Sequence, residues 1–450
     1  MLRRRRDPQA QAAGEAERGQ AADEAGGPRG DSPGGLHGRA AGGRGLTAVD
    51  GTAGRAAGRP VDDALDRSRL GPGLYVHIPF CARKCWYCDF TAYHHRPGRA
   101  SRYVDDLMAE IRLYAADDAF ASVTFRTLFF GGGTPSLLEP GDFCRLMACL
   151  RSSFRLDPGA EVTLEANPED LRQDRLEAWL EAGVNRLSIG AQAAQDRLLA
   201  AAGRVHDWRA VEVGYRRARQ AGFANIGLDL IFGLPGQTRD DWRETLERVL
   251  ALAPGPPEHL SCYGLQVEEG TLYGRWRREG RLRLPAEEDE AAMYRHAVER
   301  LAAAGYEHYE ISNFARPGFR SRHNLNYWAD GDFLGLGAGA WSHWHGRRWG
   351  NQRFLGPYAR ALAEGRRPVA EVDEPPLKTR MADALMLGTR LVEGMPAAWF
   401  VERFGQTPEE AFGPQLADLA GRGLLERAGG RIRLTRRGLL LANEVWAALL

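Results

Sequence analysis

The chain has 450 residues, of which 44% are hydrophobic, and its 60 basic and 59 acidic side chains leave a net charge of +1. This length allows two or three globular domains of about 100–200 residues each. The near-neutral charge is unlike the basic surplus of nucleic-acid-binding proteins, so we expect no nucleic-acid partner. No run of about 18 uncharged apolar residues occurs, so we expect no integral membrane segment.

Residues 1–70 are rich in Gly, Ala and charged residues and contain few large aliphatic side chains. Such a segment buries too little apolar surface to offset the entropy lost on ordering. We therefore expect a disordered low-complexity tail, to which we assign no function. The tail also lacks the apolar core of a signal peptide, so we expect a reducing, cytoplasmic location in which cysteines are free thiols.

From residue 73 onward, the hydrophobic pattern alternates between strands and helices. The predicted strands are 74–78, 127–130, 161–164, 186–189, 226–232 and 259–267, and the intervening helices are 101–115, 140–153, 171–182, 207–220 and one capped by residue 238. This alternation predicts parallel βαβ units. Chemistry-bearing motifs follow nearly every strand, which favours a partial (β/α)6 TIM-like barrel. A doubly wound open sheet is the alternative.

After about residue 375 the pattern changes to three helices, a hairpin and a final helix, which predicts a small winged-helix-like domain. Its third helix, 408–421, carries mainly acidic charge, which disfavours DNA binding. The predicted domains are the tail at 1–70, the core barrel at 71–310, a connecting segment at 311–374 and the winged-helix-like domain at 375–450.

The motif Cys81-x-x-x-Cys85-x-x-Cys88 gives the strongest indication of chemistry. A four-iron cluster needs four ligands, so three thiolates leave one iron free to bind a small molecule. Structural zinc is the alternative, but it takes four protein ligands and no second Cys-x-x-Cys pair is present to complete the site. The fourth zinc ligand would then come from a nearby histidine: His77, His94 or His95.

The cysteine motif after the first strand, followed by Gly131–Pro135 (Gly-Gly-Gly-Thr-Pro) after the second, resembles the radical SAM superfamily. The glycines allow a ligand to approach the backbone closely. The resemblance implies a radical-SAM-type barrel with a [4Fe-4S] cluster, S-adenosylmethionine bound at the unique iron, and a reductant for the cluster as a partner. An electron from the cluster would split the bound molecule into methionine and a deoxyadenosyl radical.

The finer resemblance is to the group containing oxygen-independent coproporphyrinogen oxidases and HemW-type haem chaperones, and it covers nearly all of residues 73–450. It implies the following cofactor contacts: Tyr75, Tyr87, Gly132, Gly133, Thr134, Glu165, Gln192, Arg204 and Asp229. It also assigns Trp341 to the same pocket, although this tryptophan stands where the oxidases have an aliphatic residue.

Two positions separate the subgroups. The oxidase resemblance requires a further cysteine two residues after Cys88, where this chain has Phe90. The chaperone resemblance requires His-Asn-x-x-Tyr-Trp, which residues 323–328 supply. Imidazole can ligate haem iron while Tyr and Trp cover the macrocycle, so we predict His323 as a haem ligand. The alternative is a hydrogen-bonded structural histidine.

The leading hypothesis is a haem chaperone that binds haem, a [4Fe-4S] cluster and S-adenosylmethionine, and transfers haem to acceptor proteins. The enzyme alternative is oxygen-independent coproporphyrinogen III oxidase, a radical decarboxylase. A zinc-dependent winged-helix regulator is the third possibility. The leading hypothesis names no catalytic residues, and the sequence identifies neither the haem acceptor nor the electron donor.

Overall fold

A computed structural model describes residues 70–96 and 98–449, so the predicted tail at 1–70 lies outside the described residues except for Leu70. The strands are β1 Gly73–Ile78, β2 Phe80–Cys81, β3 Tyr93–His94, β4 Thr124–Gly132, β5 Arg155–Ala166, β6 Arg186–Gln192, β7 Ile226–Phe232, β8 His259–Gly264, β9 Glu307–Glu310, β10 Asn313–Ala315, β11 Phe333–Leu336, β12 Trp341–Trp344, β13 Arg347–Asn351, β14 Val369–Asp373, β15 Met395–Pro396, β16 Leu425–Ala428 and β17 Arg431–Leu434. The helices are α1 Arg99–Ala115, α2 Asp118–Ala121, α3 Pro140–Ser153, α4 Gln173–Glu181, α5 Asp196–Ala201, α6 Trp208–Ala221, α7 Arg239–Leu250, α8 Leu272–Arg278, α9 Glu287–Ala303, α10 Arg322–Trp328, α11 Leu355–Ala363, α12 Leu377–Gly388, α13 Ala397–Phe404, α14 Pro408–Gly421, α15 Arg436–Leu440 and α16 Ala442–Leu449.

Twelve strands form one sheet, in the order β14-β13-β12-β11-β1-β4-β5-β6-β7-β8-β10-β9. The strands β1, β4, β5, β6, β7 and β8 pair in parallel, and helices connect them. Their order follows the chain without the reversal that a doubly wound sheet has at its switch point. The predicted partial six-stranded barrel is therefore confirmed.

Local sequence explains these elements. In β7 six of the seven residues are buried, as expected for a parallel strand that is covered on both faces. Helix α7 begins with a capping box, in which Thr238 accepts from the backbone N–H of Asp241 and the Asp241 carboxylate accepts from the backbone N–H of Thr238. This box was predicted from the sequence.

The connecting segment at 311–374 adds strands to both edges of the parallel sheet. Strand β11 pairs in parallel with β1, and β12, β13 and β14 continue that edge with antiparallel pairing. On the other edge, β10 pairs antiparallel with β8. The division of the chain into domains at this segment stays a prediction.

The carboxyl-terminal residues form the expected helices together with a three-stranded sheet in the order β15-β17-β16. They bury a core of their own, which includes Phe400, Phe412 and Leu419. A separate apolar cluster, with Trp328 and Leu391 among its members, joins this unit to the sheet. Within the described ranges, no helix is both long and apolar enough to cross a membrane.

Candidate functional site

The three motif cysteines lie on the loop that leaves the carboxyl end of β1, and all three are free thiols. The short strands β2 and β3 pair in parallel and hold the two ends of this loop together. Burial raises the pKa of Cys81, and it raises the pKa of Cys88 to about 12. These thiols therefore ionise when a nearby cation stabilises the thiolate, as iron does in a cluster.

Thr134 and Arg204 reach the cysteine loop from other strand ends. Thr134 Oγ1 lies 3.5 Å from Cys81 Sγ. Arg204 Nη1 donates to Cys85 Sγ at 3.2 Å, while its Nη2 donates to Asn167 Oδ1 at 2.6 Å. Arg204 therefore links Cys85 to Asn167, the residue after β5, and holds this part of the cysteine loop in place.

The glycines that follow β4 let the backbone pass close to its neighbours. Gly132 has a φ of 108°, and a Cβ there would lie 2.4 Å from the ring of His77. A Cβ on Gly133 would lie 2.7 Å from the backbone of Phe80. Only glycine fits these two positions, so the loop presents bare backbone beside the cysteines.

Two partly buried carboxyl groups lie at the strand ends next to this loop. Glu165 accepts from the backbone N–H of Gly132 at 3.2 Å. Burial, followed by the charge of Asp229, raises the pKa of Glu165 to about 8. Burial also raises the pKa of Asp229, although hydrogen bonds from Ser261 and Ser188 oppose the shift. A positively charged ligand would reverse these shifts, and S-adenosylmethionine carries a sulfonium and an ammonium group.

The remaining predicted contacts border the same region. Gln192 has the left-handed φ of 58°, and its buried Oε1 has no hydrogen-bond partner within the described ranges. The hydroxyl of Tyr75 lies 3.0 Å from His77 Nδ1. Burial raises the pKa of Tyr87, and the neighbouring Cys85 raises it further. An orphaned acceptor such as Gln192 Oε1 indicates a missing polar partner.

These observations fit a [4Fe-4S] cluster with S-adenosylmethionine: three thiols, a glycine-lined loop, an unpaired acceptor and two partly buried carboxyl groups. They do not favour zinc. His77, one candidate for the fourth zinc ligand, has Nε2 3.0 Å from the Thr91 carbonyl oxygen and Nδ1 bound to Tyr75. In the described part of the chain, no group of three or more Cys, His, Asp or Glu side chains is arranged to hold a single metal ion.

His323 lies at the opposite end of the parallel strands. Glu161 accepts the backbone N–H groups of Arg322 and His323, both at 3.1 Å, which fixes the start of α10. The two ring nitrogens of His323 are both occupied, Nδ1 by Thr127 Oγ1 at 2.7 Å and Nε2 by the Tyr327 hydroxyl at 2.8 Å. Burial lowers the pKa of His323 to about 3, so the ring is neutral.

The structure therefore does not bring His323 to the cysteine loop. Thr127, its partner, precedes Gly132 by five residues in β4, which corresponds to about 17 Å along a strand. The ring of Phe129 lies between these two positions in β4 and stacks on His323 with centroids 5.0 Å apart.

Trp341 is the first residue of β12 and follows Gly339 by two positions, where a Cβ would lie 3.3 Å from Thr91. It lines an open pocket of about 80 Å³ between strands β11–β13 and helices α12 and α13. Tyr327 lines this pocket as well, so one residue of the His-Asn-x-x-Tyr-Trp segment connects His323 to the pocket. The assignment of Trp341 to the S-adenosylmethionine site stays a prediction.

Sequence reasoning missed two residues that order the site, Asn167 and Phe129, and it named His77 only as a possible zinc ligand. His77 and Asn167 contact predicted residues directly, and each lies at or just after the end of a predicted strand, which was an available signal. Phe129 had no such signal, because its stacking on His323 depends on a residue far away in the sequence.

Comparison with known proteins agrees with this geometry. Residues 75–249 match the radical SAM superfamily, and residues 376–441 match the HemN C-terminal domain. The chain is 38% identical to "Heme chaperone HemW" of Bacillus subtilis over 84% of this chain and 98% of that protein. It is 34% identical to "Heme chaperone HemW" of Escherichia coli over 83% of this chain and 96% of that protein.

Among solved structures, coproporphyrinogen III oxidase (HemN) from Escherichia coli, described as a radical SAM enzyme, superposes with a TM-score of 0.73 at 26% identity. That match covers 86% of this chain and 92% of the oxidase. Membership of the radical SAM superfamily implies a [4Fe-4S] cluster and S-adenosylmethionine. Since the similarity to the HemW proteins extends over nearly their whole length, the chain belongs to the HemW family within the radical SAM superfamily.

Proposed function

We propose that this chain is a haem chaperone, which binds haem and transfers it to acceptor proteins while holding a [4Fe-4S] cluster and S-adenosylmethionine. The observation that carries the proposal is the match to relatives named heme chaperones, which extends over 98% of the Bacillus subtilis protein. The local sequence supports it, because Phe90 replaces the further cysteine of the oxidase pattern. We infer a cytoplasmic protein whose other partner is a reductant for the cluster.

In this proposal Cys81, Cys85 and Cys88 ligate the cluster, and the bound cluster and S-adenosylmethionine supply one-electron chemistry. Arg204 donates a hydrogen bond to Cys85 Sγ and holds that ligand in position. Glu165 pairs with the positive charge of the cofactor, and the hydrogen bond from the backbone N–H of Gly132 holds its carboxylate in position.

His323 can bind iron only if its hydrogen bond to Tyr327 is broken. Its Nε2 must exchange the Tyr327 hydroxyl for iron, because the lone pair or proton on that nitrogen is engaged at 2.8 Å. This exchange requires that α10 opens or that the Tyr327 side chain rotates away from His323. The alternative in which His323 is a buried structural residue fits the described conformation without any movement.

The oxidase is the second candidate, since the HemN structure superposes over 92% of its length. The test is an anaerobic assay of the reconstituted protein with coproporphyrinogen III, S-adenosylmethionine and a reductant. We expect no protoporphyrinogen IX, whereas the same preparation binds haemin in a saturable titration. Formation of protoporphyrinogen IX would contradict the proposal and make the chain a radical decarboxylase.

A further inference from the structure

Helix α8 lies directly against the cysteine loop. The backbone N–H of Tyr273 donates to the carbonyl oxygen of Trp86 at 2.9 Å, and the Tyr273 hydroxyl donates to the carbonyl oxygen of Ala201 at 2.6 Å. The rings of Trp86 and Trp276 meet edge to face, with their centroids 5.1 Å apart. Because Trp86 directly follows Cys85 in the chain, the outer face of α8 is a surface next to the candidate cluster.

This helix and the residues after it are strongly basic. Residues 272–284 contain one acidic residue, Glu279, and five arginines: Arg275, Arg277, Arg278, Arg281 and Arg283. All five arginines are exposed. Glu279 is shared between two of them, at 2.8 Å from Arg275 and 2.9 Å from Arg281. Since the whole chain has a net charge of only +1, this basic surplus is a local feature.

The basic surface continues onto the cysteine loop. The Arg281 guanidinium lies 5.6 Å from the centroid of the Trp276 ring, and the Arg83 guanidinium lies 5.8 Å from that of Trp86. Such distances are those of cation–π contacts. Because the two tryptophan rings touch, these four side chains form one continuous surface, and the exposed Lys84 lies beside Arg83. We call the cations of α8, of its following residues and of the cysteine loop the basic rim.

Two exposed aliphatic side chains accompany the basic rim. Leu272, the first residue of α8, is 36% exposed, and Val205 is 56% exposed. Val205 follows Gly203 by two positions, and a Cβ on Gly203 would lie 2.7 Å from the Trp86 ring. Apolar contacts accompanied by arginine and tryptophan are typical of protein–protein interfaces.

We propose that the basic rim docks the reductant of the cluster, and that this reductant is an acidic protein that carries one electron on a flavin or on an iron–sulfur group. The inference rests on the cluster of the proposed function, and it names the surface and the chemistry of the partner. One electron passes from the reduced carrier to the oxidised cluster. The carrier is thereby oxidised and the cluster reduced, and no covalent bond forms or breaks.

The position of the basic rim favours an electron carrier over a haem acceptor. A partner seated on α8 meets Trp86, which stands between two of the cluster ligands, Cys85 and Cys88. An electron must reach the cluster, whereas a haem acceptor has no need to approach it. Transient redox complexes are small, with less than about 1,200 Å² of buried surface, and charge steers the two proteins together.

The experiment is anaerobic stopped-flow reduction of the full reconstituted chain by a reduced flavodoxin, a small acidic flavoprotein, followed by the visible absorbance of the cluster. The variant Arg277→Glu with Arg278→Glu should lower the second-order rate constant about tenfold at low salt, because it reverses the charge that steers the encounter. The difference should shrink as salt screens the charges. Arg277→Gln with Arg278→Gln, which removes charge without reversing it, should have a smaller effect.

The matched control is Arg216→Glu with Arg217→Glu. These two arginines are exposed neighbours in the second half of α6, which leads to the amino end of β7, away from the cysteine loop. We expect the control to be reduced at the unaltered rate. Excess dithionite should reduce every variant to the same extent, which shows that each cluster is intact.

An unchanged rate in Arg277→Glu with Arg278→Glu, or an equal loss in the control pair, would overturn the assignment. Loss of haem transfer to apomyoglobin with electron uptake intact would overturn it as well, and would make the basic rim a surface for the haem acceptor. An unaltered chain that binds haemin and holds the cluster, but takes no electron from the flavodoxin, would overturn this inference alone. An unaltered chain that binds neither the cluster nor haemin would overturn the proposed function.

Discussion

Acid should destabilise this protein through its buried neutral histidines, and His323 allows the effect to be measured. Burial lowers the pKa of His323 to about 3, whereas in the unfolded chain it returns to about 6.5. Between these values the unfolded state binds one more proton than the folded state, so stability is present above pH 6.5 and is lost as the pH falls. From pH 7 to pH 5 this one group accounts for about 2 kcal/mol of unfolding free energy.

The assay is urea unfolding of the unaltered chain and of His323→Asn at pH 7 and pH 5, followed by circular dichroism. The substitution lowers stability at both pH values, because Thr127 and Tyr327 lose a buried partner. The pH-dependent loss should nevertheless be about 2 kcal/mol smaller in the variant, which has no imidazole to protonate. His345→Asn is the control for removing a histidine. Equal pH-dependent losses in all three proteins would refute the buried, neutral state of His323.

Two further predictions concern the cysteine end of the barrel. Gly132→Ala should abolish S-adenosylmethionine binding in calorimetric titration and lower the free energy of unfolding by about 1–3 kcal/mol. The reason is that the added Cβ would lie 2.4 Å from the His77 ring, at a backbone position with a positive φ. Gly141→Ala is the control, since a Cβ there meets open space, and it should have neither effect. Arg204→Gln removes the hydrogen bond to Cys85 Sγ and should lower the iron and sulfide retained per chain after reconstitution. Unchanged metal content would argue against the role of Arg204 in positioning the cysteine loop.

The sequence predicted the parallel half of the fold because its signals are local. The near-continuous apolar run of β7 and the Thr238 capping box are both visible within a few residues. The edge strands were not predicted, because β11 has only four residues and pairs with β1 from a distant part of the chain. Such a strand is defined by its partner, so a local pattern does not reveal it.

In the candidate site too, the residues with local sequence signals were predicted and those that depend on distant partners were not. Residues carried by motifs, such as Thr134 and Arg204, meet the cysteine loop because the carboxyl ends of parallel strands converge. The state of His323 depends on Thr127, almost two hundred positions earlier, and the sequence left ligand and structural roles open. The pocket that Trp341 and Tyr327 line lies between the sheet and the carboxyl-terminal helices, so no single segment could indicate it.

Haem transfer is the measurement that tests the central claim most directly. The anaerobically reconstituted chain is loaded with one equivalent of haemin, mixed with an apo-acceptor such as apomyoglobin, and followed by the Soret band of the acceptor. The account predicts saturable loading and then movement of haem to the acceptor faster than from serum albumin loaded in the same way. No loading, or loading without transfer to any acceptor, would contradict a haem chaperone.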